Sequence, residues 1–350
     1  MKKLVHGGDI YSYNGKNILD FSQNSNPLGL PDGVKKAIIE NIENYSHYPD
    51  PLCRELKTQL ASYLCVPSEF LVCGNGAADL IFRTILAIKP KKALLIVPTF
   101  SEYQSALQLC ECEITYHFLL DENKFVLKED FPNQLTSDLD VVFLCNPNNP
   151  TGIAIKSDLM ICIAQKCCAL NIILIVDECF NCFLEQPQWY SLMPYLQSIP
   201  NTIILKAFTK LYAMAGIRLG YAVCSDTALT EKISNTLQPW SVSTVASKCG
   251  IAALKETQYV LQTKEMITKN RTDLKQELEY LGLLVYESMA NYLFFKSNHL
   301  DLAQRLEKKD ILIRDCANYV GLTKGYYRIA VKTQQENSRL IACLQQILED

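Results

Sequence analysis

The sequence predicts an α/β fold built on a largely parallel sheet, and three observations predict it. Short apolar runs alternate with helix-period stretches from about Leu71 to Ser225, the order that places helices on both faces of a sheet. The apolar runs are continuous rather than alternating, as in strands buried on both faces. The pattern changes after about Trp240, where a helical tract and then shorter strand-like pieces announce a second, smaller α/β lobe.

The expected strands of the larger lobe are Ala93 to Val97, Val141 to Cys145, Ile172 to Val176, Thr202 to Leu205 and Leu219 to Cys224. Helical patterns at Ala77 to Ile88 and Asp158 to Leu170 separate them. Beyond lies a mostly helical tract from Val242 to Leu281. Strand-like pieces follow at Leu283 to Tyr286, Tyr292 to Lys296, Ile311 to Arg314 and Tyr326 to Val331, then an amphipathic helix from Gln334 to Leu348. A helix near Asp32 to Asn44 is expected to pack against this smaller lobe. Residues 45–245 are assigned to a large domain, and 1–44 with 246–350 to a small one. A chain of 350 residues exceeds what one core usually serves, and the absence of a Gly/Ser linker predicts lobes packed together rather than tethered.

Hydrophobic residues make up 49% and charged residues 20%, a globular balance. A net charge of -3 provides no drive toward nucleic acid or an anionic membrane. No run of about 18 apolar residues occurs, which excludes a spanning helix. The amino terminus reaches polar residues before any apolar segment develops, so no signal peptide is expected there. Fifteen cysteines is a high count. Cys73, Cys145 and Cys224 fall in or beside apolar strand-like runs and Cys162, Cys167 and Cys168 in a helical pattern, where free thiols act as small apolar groups. A reducing cytoplasm is the simpler expectation. Cys179 and Cys182 have metal spacing, but no second pair or nearby histidine completes a site; no metal is expected.

Four motifs lie at expected strand ends, where open α/β sheets bind ligands. Cys73-Gly-Asn-Gly-Ala-Ala-Asp79 closes a strand and opens a helix, so its backbone N–H groups suit an anion; a bare tight turn is the plainer alternative. Asn146-Pro-Asn-Asn-Pro-Thr-Gly152 is a rigid exit from the sheet that aims an amide into the strand-end crevice or merely turns the chain. Asp177 ends a five-residue apolar run, a costly place for an acid without a partner; pairing with a pyridinium nitrogen, a helix cap and a metal ligand all remain open. Lys210 follows a strand, with Arg218 eight residues on. A lysine in a cleft near other cations loses its proton more easily, as Schiff-base chemistry requires, although a single lysine is usually a solvated charge.

In this order the four motifs resemble those of the aminotransferase superfamily of fold type I pyridoxal-phosphate enzymes. The resemblance implies a mostly parallel sheet of the seven-stranded type, a smaller α/β domain, and pyridoxal 5'-phosphate as cofactor. Lys210 would carry the cofactor, Asp177 would pair with its ring nitrogen and Asn149 would bond its ring hydroxyl. Gly76, Ala77, Thr209 and Arg218 would hold its phosphate, and Tyr103 would stack on its ring. Tyr48, in His47-Tyr-Pro-Asp50, matches a tyrosine that reaches the phosphate of the neighbouring subunit, which implies a homodimer. Two positions depart from the pattern. Phe180 stands where many relatives have tyrosine, so one bond to the ring hydroxyl is lost. Ala207 stands where many have serine, so one phosphate contact is lost.

The chain ends narrow the resemblance. His6-Gly-Gly8, Asp20-Phe-Ser-Gln-Asn-Ser-Asn-Pro-Leu-Gly29, the stretch from Ile311 to Leu322, and Tyr326-Tyr-Arg328 resemble the phosphothreonine decarboxylases of cobalamin biosynthesis, a family beside the histidinol-phosphate aminotransferases. That likeness implies decarboxylation of O-phospho-L-threonine to (R)-1-amino-2-propanol phosphate, with O-phospho-L-serine to ethanolamine phosphate as a variant. Guanidinium groups suit a substrate carrying carboxylate and phosphate. Arg328 is the expected carboxylate partner. Arg314 and His6 are expected at the substrate phosphate, with Asn24 and Asn318 as further contacts. Three other readings stand beside this one. A histidinol-phosphate-type aminotransferase would use the same residues. A non-catalytic binding or regulatory protein of this fold would have no need of Lys210 and Asp177. A nicotinamide-dependent oxidoreductase would want a third glycine after Gly74 and Gly76.

Overall fold

The computed structural model describes residues 6–13 and 18–349. In chain order these form β1 (Leu19–Asp20), α1 (Asp32–Glu40), α2 (Arg54–Leu64), β2 (Leu71–Gly74), α3 (Ala77–Ile88), β3 (Lys92–Val97), α4 (Ser101–Leu109), β4 (Glu113–Phe118), β5 (Val141–Cys145), α5 (Ser157–Ala169), β6 (Ile173–Asp177), β7 (Thr202–Ala207) and β8 (Gly220–Val223). Then come α6 (Thr227–Thr236), α7 (Thr244–Ala253), α8 (Thr257–Tyr280), β9 (Leu284–Val285), β10 (Tyr292–Lys296), α9 (Leu302–Glu307), β11 (Ile311–Leu312), β12 (Arg314–Asp315), β13 (Tyr326–Ala330) and α10 (Gln334–Glu349).

A seven-stranded sheet runs in the order β2-β8-β7-β6-β5-β3-β4. Only β8 runs against the rest. Parallel neighbours need a crossover, usually a helix; the excursion from Phe208 to Leu219 instead returns straight along β7, so β8 is antiparallel. Successive residues of the central strands feed two cores. Leu94, Ile96, Val142, Leu144, Leu174 and Val176 pack on the side of α2 and α5. Leu95, Val97, Val141, Phe143, Ile175 and Ile203 pack on the side of α3, α4 and α6. Burial on both faces explains the unbroken apolar runs. Each such side chain contributes about 1.5–3 kcal/mol, and truncating the central Phe143 to alanine should cost about 3–5 kcal/mol.

Three local outcomes differ from the sequence reading. β4 was not expected: its residues Glu113 to Phe118 are half-buried or exposed at the sheet edge, so they lack the apolar run. The tract after Val242 is two helices, α7 and α8. The chain breaks at Glu256, whose carboxylate accepts the N–H of Gly33 at 2.9 Å, an otherwise orphaned donor in the first turn of α1. The run Ile311 to Arg314 divides between two sheets. β11 pairs in parallel with β1, while β12 joins the antiparallel sheet β12-β13-β10-β9. The amino-terminal segment is thereby tied to the carboxyl-terminal part of the chain.

A three-point contact at Asp121 helps to tie the two larger sheets together. Asp121, just past β4, accepts hydrogen bonds from Tyr286 (2.5 Å), Lys296 (2.8 Å) and Tyr326 (2.7 Å), all from the four-stranded region. Phe125 meets Tyr286, Phe294 and Tyr326 edge-on beside it. No described helix is long and apolar enough to cross a membrane.

Candidate active site

A cavity of about 410 Å³ opens at the carboxyl ends of the parallel strands. Ala77, Asn149, Asp177, Thr209, Lys210, Arg218, His6, Asn24, Arg314 and Arg328 all line it. The strand-end motifs and the terminal motifs therefore converge on one place.

Asp177 is the last residue of β6 and is buried. Its Oδ1 accepts the N–H of Cys179 at 2.9 Å and its Oδ2 accepts the hydroxyl of Tyr103 at 2.7 Å. Each carboxylate oxygen retains capacity for a further donor. Lys210 lies three residues beyond β7, with its ammonium 5.8 Å from the centre of the Phe180 ring. Burial, reinforced by the guanidinium groups of Arg328 and Arg218, pushes the Lys210 amine down to about 8, against the pull of Cys179 and Asp177.

The anion cradle is built by close backbone approach. Gly76 sits at φ +88 directly before α3, and a side chain there would lie 2.6 Å from Nη2 of Arg218. Opposite, a side chain on Gly220 would meet Ala77 N at 2.5 Å. Arg218 itself takes φ 63, a region rarely used by residues with side chains. Its Nη1 donates to the Ala215 carbonyl at 3.2 Å, and no carboxylate pairs with it among the described residues. A helix amino terminus, a guanidinium and the Thr209 hydroxyl thus face the same space.

The other wall is gathered from distant segments. Arg328 on β13 is buried. Its Nη1 donates to Asn149 Oδ1 and its Nη2 to the Ser22 carbonyl at 2.7 Å, while its Nε has no partner and no carboxylate faces it among the described residues. Asn24 Oδ1 is likewise buried without a partner. Arg314 donates to Asn318 at 2.8 Å and lies over the Tyr319 ring at 5.2 Å. His6 Nε2 lies 2.7 Å from Glu102 Oε1.

Three expected side chains fall elsewhere. Tyr103 does not reach the cavity. It is fully buried, stacks on Phe143 at 4.8 Å, and uses its hydroxyl to hold Asp177 from behind. Phe100, three residues earlier, is the aromatic ring that lines the cavity. Asn318 does not line the cavity and accepts a hydrogen bond from Arg314, which does. Tyr48 is 80% exposed and stacks on Trp240 at 4.5 Å, outside the cavity of its own chain. Phe180 and Ala207, the two departures, both line the cavity. Sequence reasoning missed Phe100, Glu102, Ser22, Cys179 and Tyr319. Phe100 had a signal, because it stands just past β3 in the same row of strand ends. The others carried none.

The profile of class I and II aminotransferases matches residues 16–344. The chain belongs to the class I and II aminotransferase family. Within reach of this family's cofactor, pyridoxal phosphate, the residues fit: an anion cradle, a buried strand-end carboxylate, and a lysine with a lowered proton affinity share one cavity. A threonine-phosphate decarboxylase from Salmonella typhimurium is 38% identical over 353 residues, covering 98% of this chain and 96% of that protein. The solved histidinol-phosphate aminotransferase of Clostridium acetobutylicum superposes with a TM-score of 0.90 at 29% identity, covering 95% of this chain and 99% of that one. The L-threonine-O-3-phosphate decarboxylase of Porphyromonas gingivalis has the same fold, with a TM-score of 0.85 at 24% identity over 95% of this chain and 100% of that one. Among the described residues no cluster of three His, Cys, Asp or Glu could hold a metal.

Proposed function

We propose that this aminotransferase-family protein decarboxylates O-phospho-L-threonine to (R)-1-amino-2-propanol phosphate, the linker of cobalamin, with O-phospho-L-serine as a lesser substrate. The observation that carries the reading is a surplus of anion-binding groups. Lys210, Arg218 and Asp177 are accounted for by the cofactor. That leaves two guanidiniums, Arg314 and Arg328, and the His6 imidazole on the same cavity. A substrate with one anionic group would leave part of this set unused, whereas a phosphoamino acid engages all of it. The likeness to the Salmonella enzyme over nearly the full chain supports the same substrate class.

Pyridoxal phosphate, when bound, supplies an electron sink for the charge left on Cα as carbon dioxide departs. The chain's residues do the rest. Arg328, braced by Asn149 and the Ser22 carbonyl, binds and orients the α-carboxylate. Its free Nε and the free Asn24 Oδ1 are completed when substrate enters. Arg314 and His6 hold the phosphate. Asp177, fixed by Tyr103 and Cys179, would accept the ring N–H and keep the ring nitrogen protonated. Lys210 Nζ, whose amine is brought down to about 8 by burial and two guanidiniums, gives a proton to Cα from its ammonium form once carbon dioxide has left and so returns to the neutral amine.

A homodimer is part of this reading. The exposed Tyr48–Trp240 stack suits a tyrosine that serves a second copy's cofactor phosphate. The fifteen free thiols, many of them buried, suit a reducing cytoplasm. Incubation of purified protein with O-phospho-L-threonine, O-phospho-L-serine, and histidinol phosphate plus a keto acid tests the reaction. Carbon dioxide and aminopropanol phosphate are expected. Amino transfer to the keto acid without carbon dioxide would instead establish the aminotransferase reading that the Clostridium likeness favours.

A further inference from the structure

We propose that Glu102 is a positioning residue for substrate recognition: its carboxylate holds the His6 imidazole, and with it the amino-terminal segment, over the cavity. This rests on the phosphoamino-acid reading and deepens it at one wall of the site.

Glu102 stands in the first turn of α4, where the helix dipole favours a negative charge. The helix is anchored by buried Tyr103, Ala106 and Leu107, so the carboxylate is presented from a fixed base. His6 comes from the opposite situation. Among the described residues its segment is tied down by Gly8 N donating to Ser22 Oγ at 2.7 Å and by the Tyr13 hydroxyl donating to Glu307 at 2.9 Å. A side chain at Gly7 would lie 2.4 Å from the Ser22 carbonyl, so the backbone lies directly on residue 22, whose carbonyl also receives Arg328. The 2.7 Å contact between His6 Nε2 and Glu102 Oε1, with the His6 ring 5.8 Å from Phe100, ties this segment to the α4 side of the cavity wall. When one imidazole nitrogen is taken by a carboxylate, the ring's orientation is set and the other nitrogen is left for a ligand. Both residues line the cavity.

The arrangement has a charge consequence with a definite sign. Glu102 is a carboxylate in the wall of a site for a dianionic group. Engaged by His6, it orients a phosphate ligand. Deprived of His6, it repels one. Removal of His6 is therefore worse than removal of Glu102, and removing both is better than removing His6 alone.

The test uses the cofactor-loaded enzyme with His6→Ala, Glu102→Gln and the double variant. Hydrogen bonds to charged groups are worth about 1.5–3 kcal/mol, so His6→Ala should raise KM for phosphothreonine by about tenfold or more. Glu102→Gln should raise it less, with KM moving further than kcat, and the double variant should recover part of the His6→Ala loss. L-threonine, tested as a competitor without phosphate, should bind all four proteins alike. Calorimetric titration with inorganic phosphate should follow the same order, and exchange of the Gly8 amide should quicken in Glu102→Gln. Multiplying losses in the double variant, or equal losses for phosphorylated and unphosphorylated ligands, would overturn the proposal. The titration needs no turnover. If no carbon dioxide appears but phosphate binding follows the expected order, the reaction assignment falls and the role of Glu102 stands.

Discussion

The two walls of the active-site cavity are built on different principles. The cofactor wall comes from one sheet, with Ala77, Asn149, Asp177 and Lys210 at or just past the ends of β2, β5, β6 and β7. Its central acid is already bonded on both oxygens. The substrate wall is collected from four separated stretches around His6, Asn24, Arg314 and Arg328, and it leaves Asn24 Oδ1 and Arg328 Nε buried without partners. Each unmade bond costs about 1–3 kcal/mol, a cost tolerated where a ligand completes the set. The difference teaches where reaction and selectivity reside. On the proposed assignment, groups common to the family's chemistry sit at the ends of one sheet, and the groups proposed to select a substrate come from segments far apart in the sequence.

Substitutions can break this contrast, and the largest effect belongs to the cofactor wall. Lys210→Ala should lower turnover on the order of 10³-fold or more, and borohydride should no longer fix the cofactor to the protein, as read by mass spectrometry. Next comes pH. Burial and two guanidiniums place the Lys210 amine near 8, so its neutral, reactive form is lost as pH falls. At pH 8 about half the amine is neutral and at pH 6 about one in a hundred, so cofactor capture by the cofactor-free protein, followed by visible absorbance, should slow by about 50-fold between pH 8 and 6. A rate that kept rising about tenfold per pH unit above pH 9 would show that the wall does not tune the lysine. On the substrate wall, Arg328→Ala should cut kcat/KM by about 10- to 100-fold, mostly through KM, while cofactor affinity holds. A matching loss of cofactor would erase the division between the walls. Tyr103→Phe is the mildest. It removes one neutral donor to Asp177, worth about 1 kcal/mol, and should weaken cofactor binding by roughly fivefold in an equilibrium titration.

The same division governs what could be read in the sequence. The cofactor wall was legible because strand-end motifs are local: Asp177 and Lys210 each announce themselves by position after an apolar run. The substrate wall was legible only by likeness, since the His6–Glu102 contact spans 96 residues and leaves no spacing to detect. The motif points to Tyr103 at the cofactor ring, whereas Phe100 is the aromatic that lines the cavity, because a motif at a loop-to-helix junction does not reveal which aromatic turns outward. In the fold, buried strands declared themselves and the edge strand β4 did not, as half-exposed positions dilute the apolar pattern. The break at Glu256 depended on Gly33, a partner more than two hundred residues away.

The three-point attachment at Asp121 has a mechanical consequence. Tyr326 is fastened there, and Arg328 lies two residues along the same strand, on the same face, at a reach of about 7 Å. Should the smaller sheet rock about this pivot by about 10°, so short a lever moves Arg328 only about 1 Å. Parts of that sheet farther from the pivot would travel several times as far. A guanidinium so close to the attachment would keep its aim at the cavity even if the rest of that sheet swung.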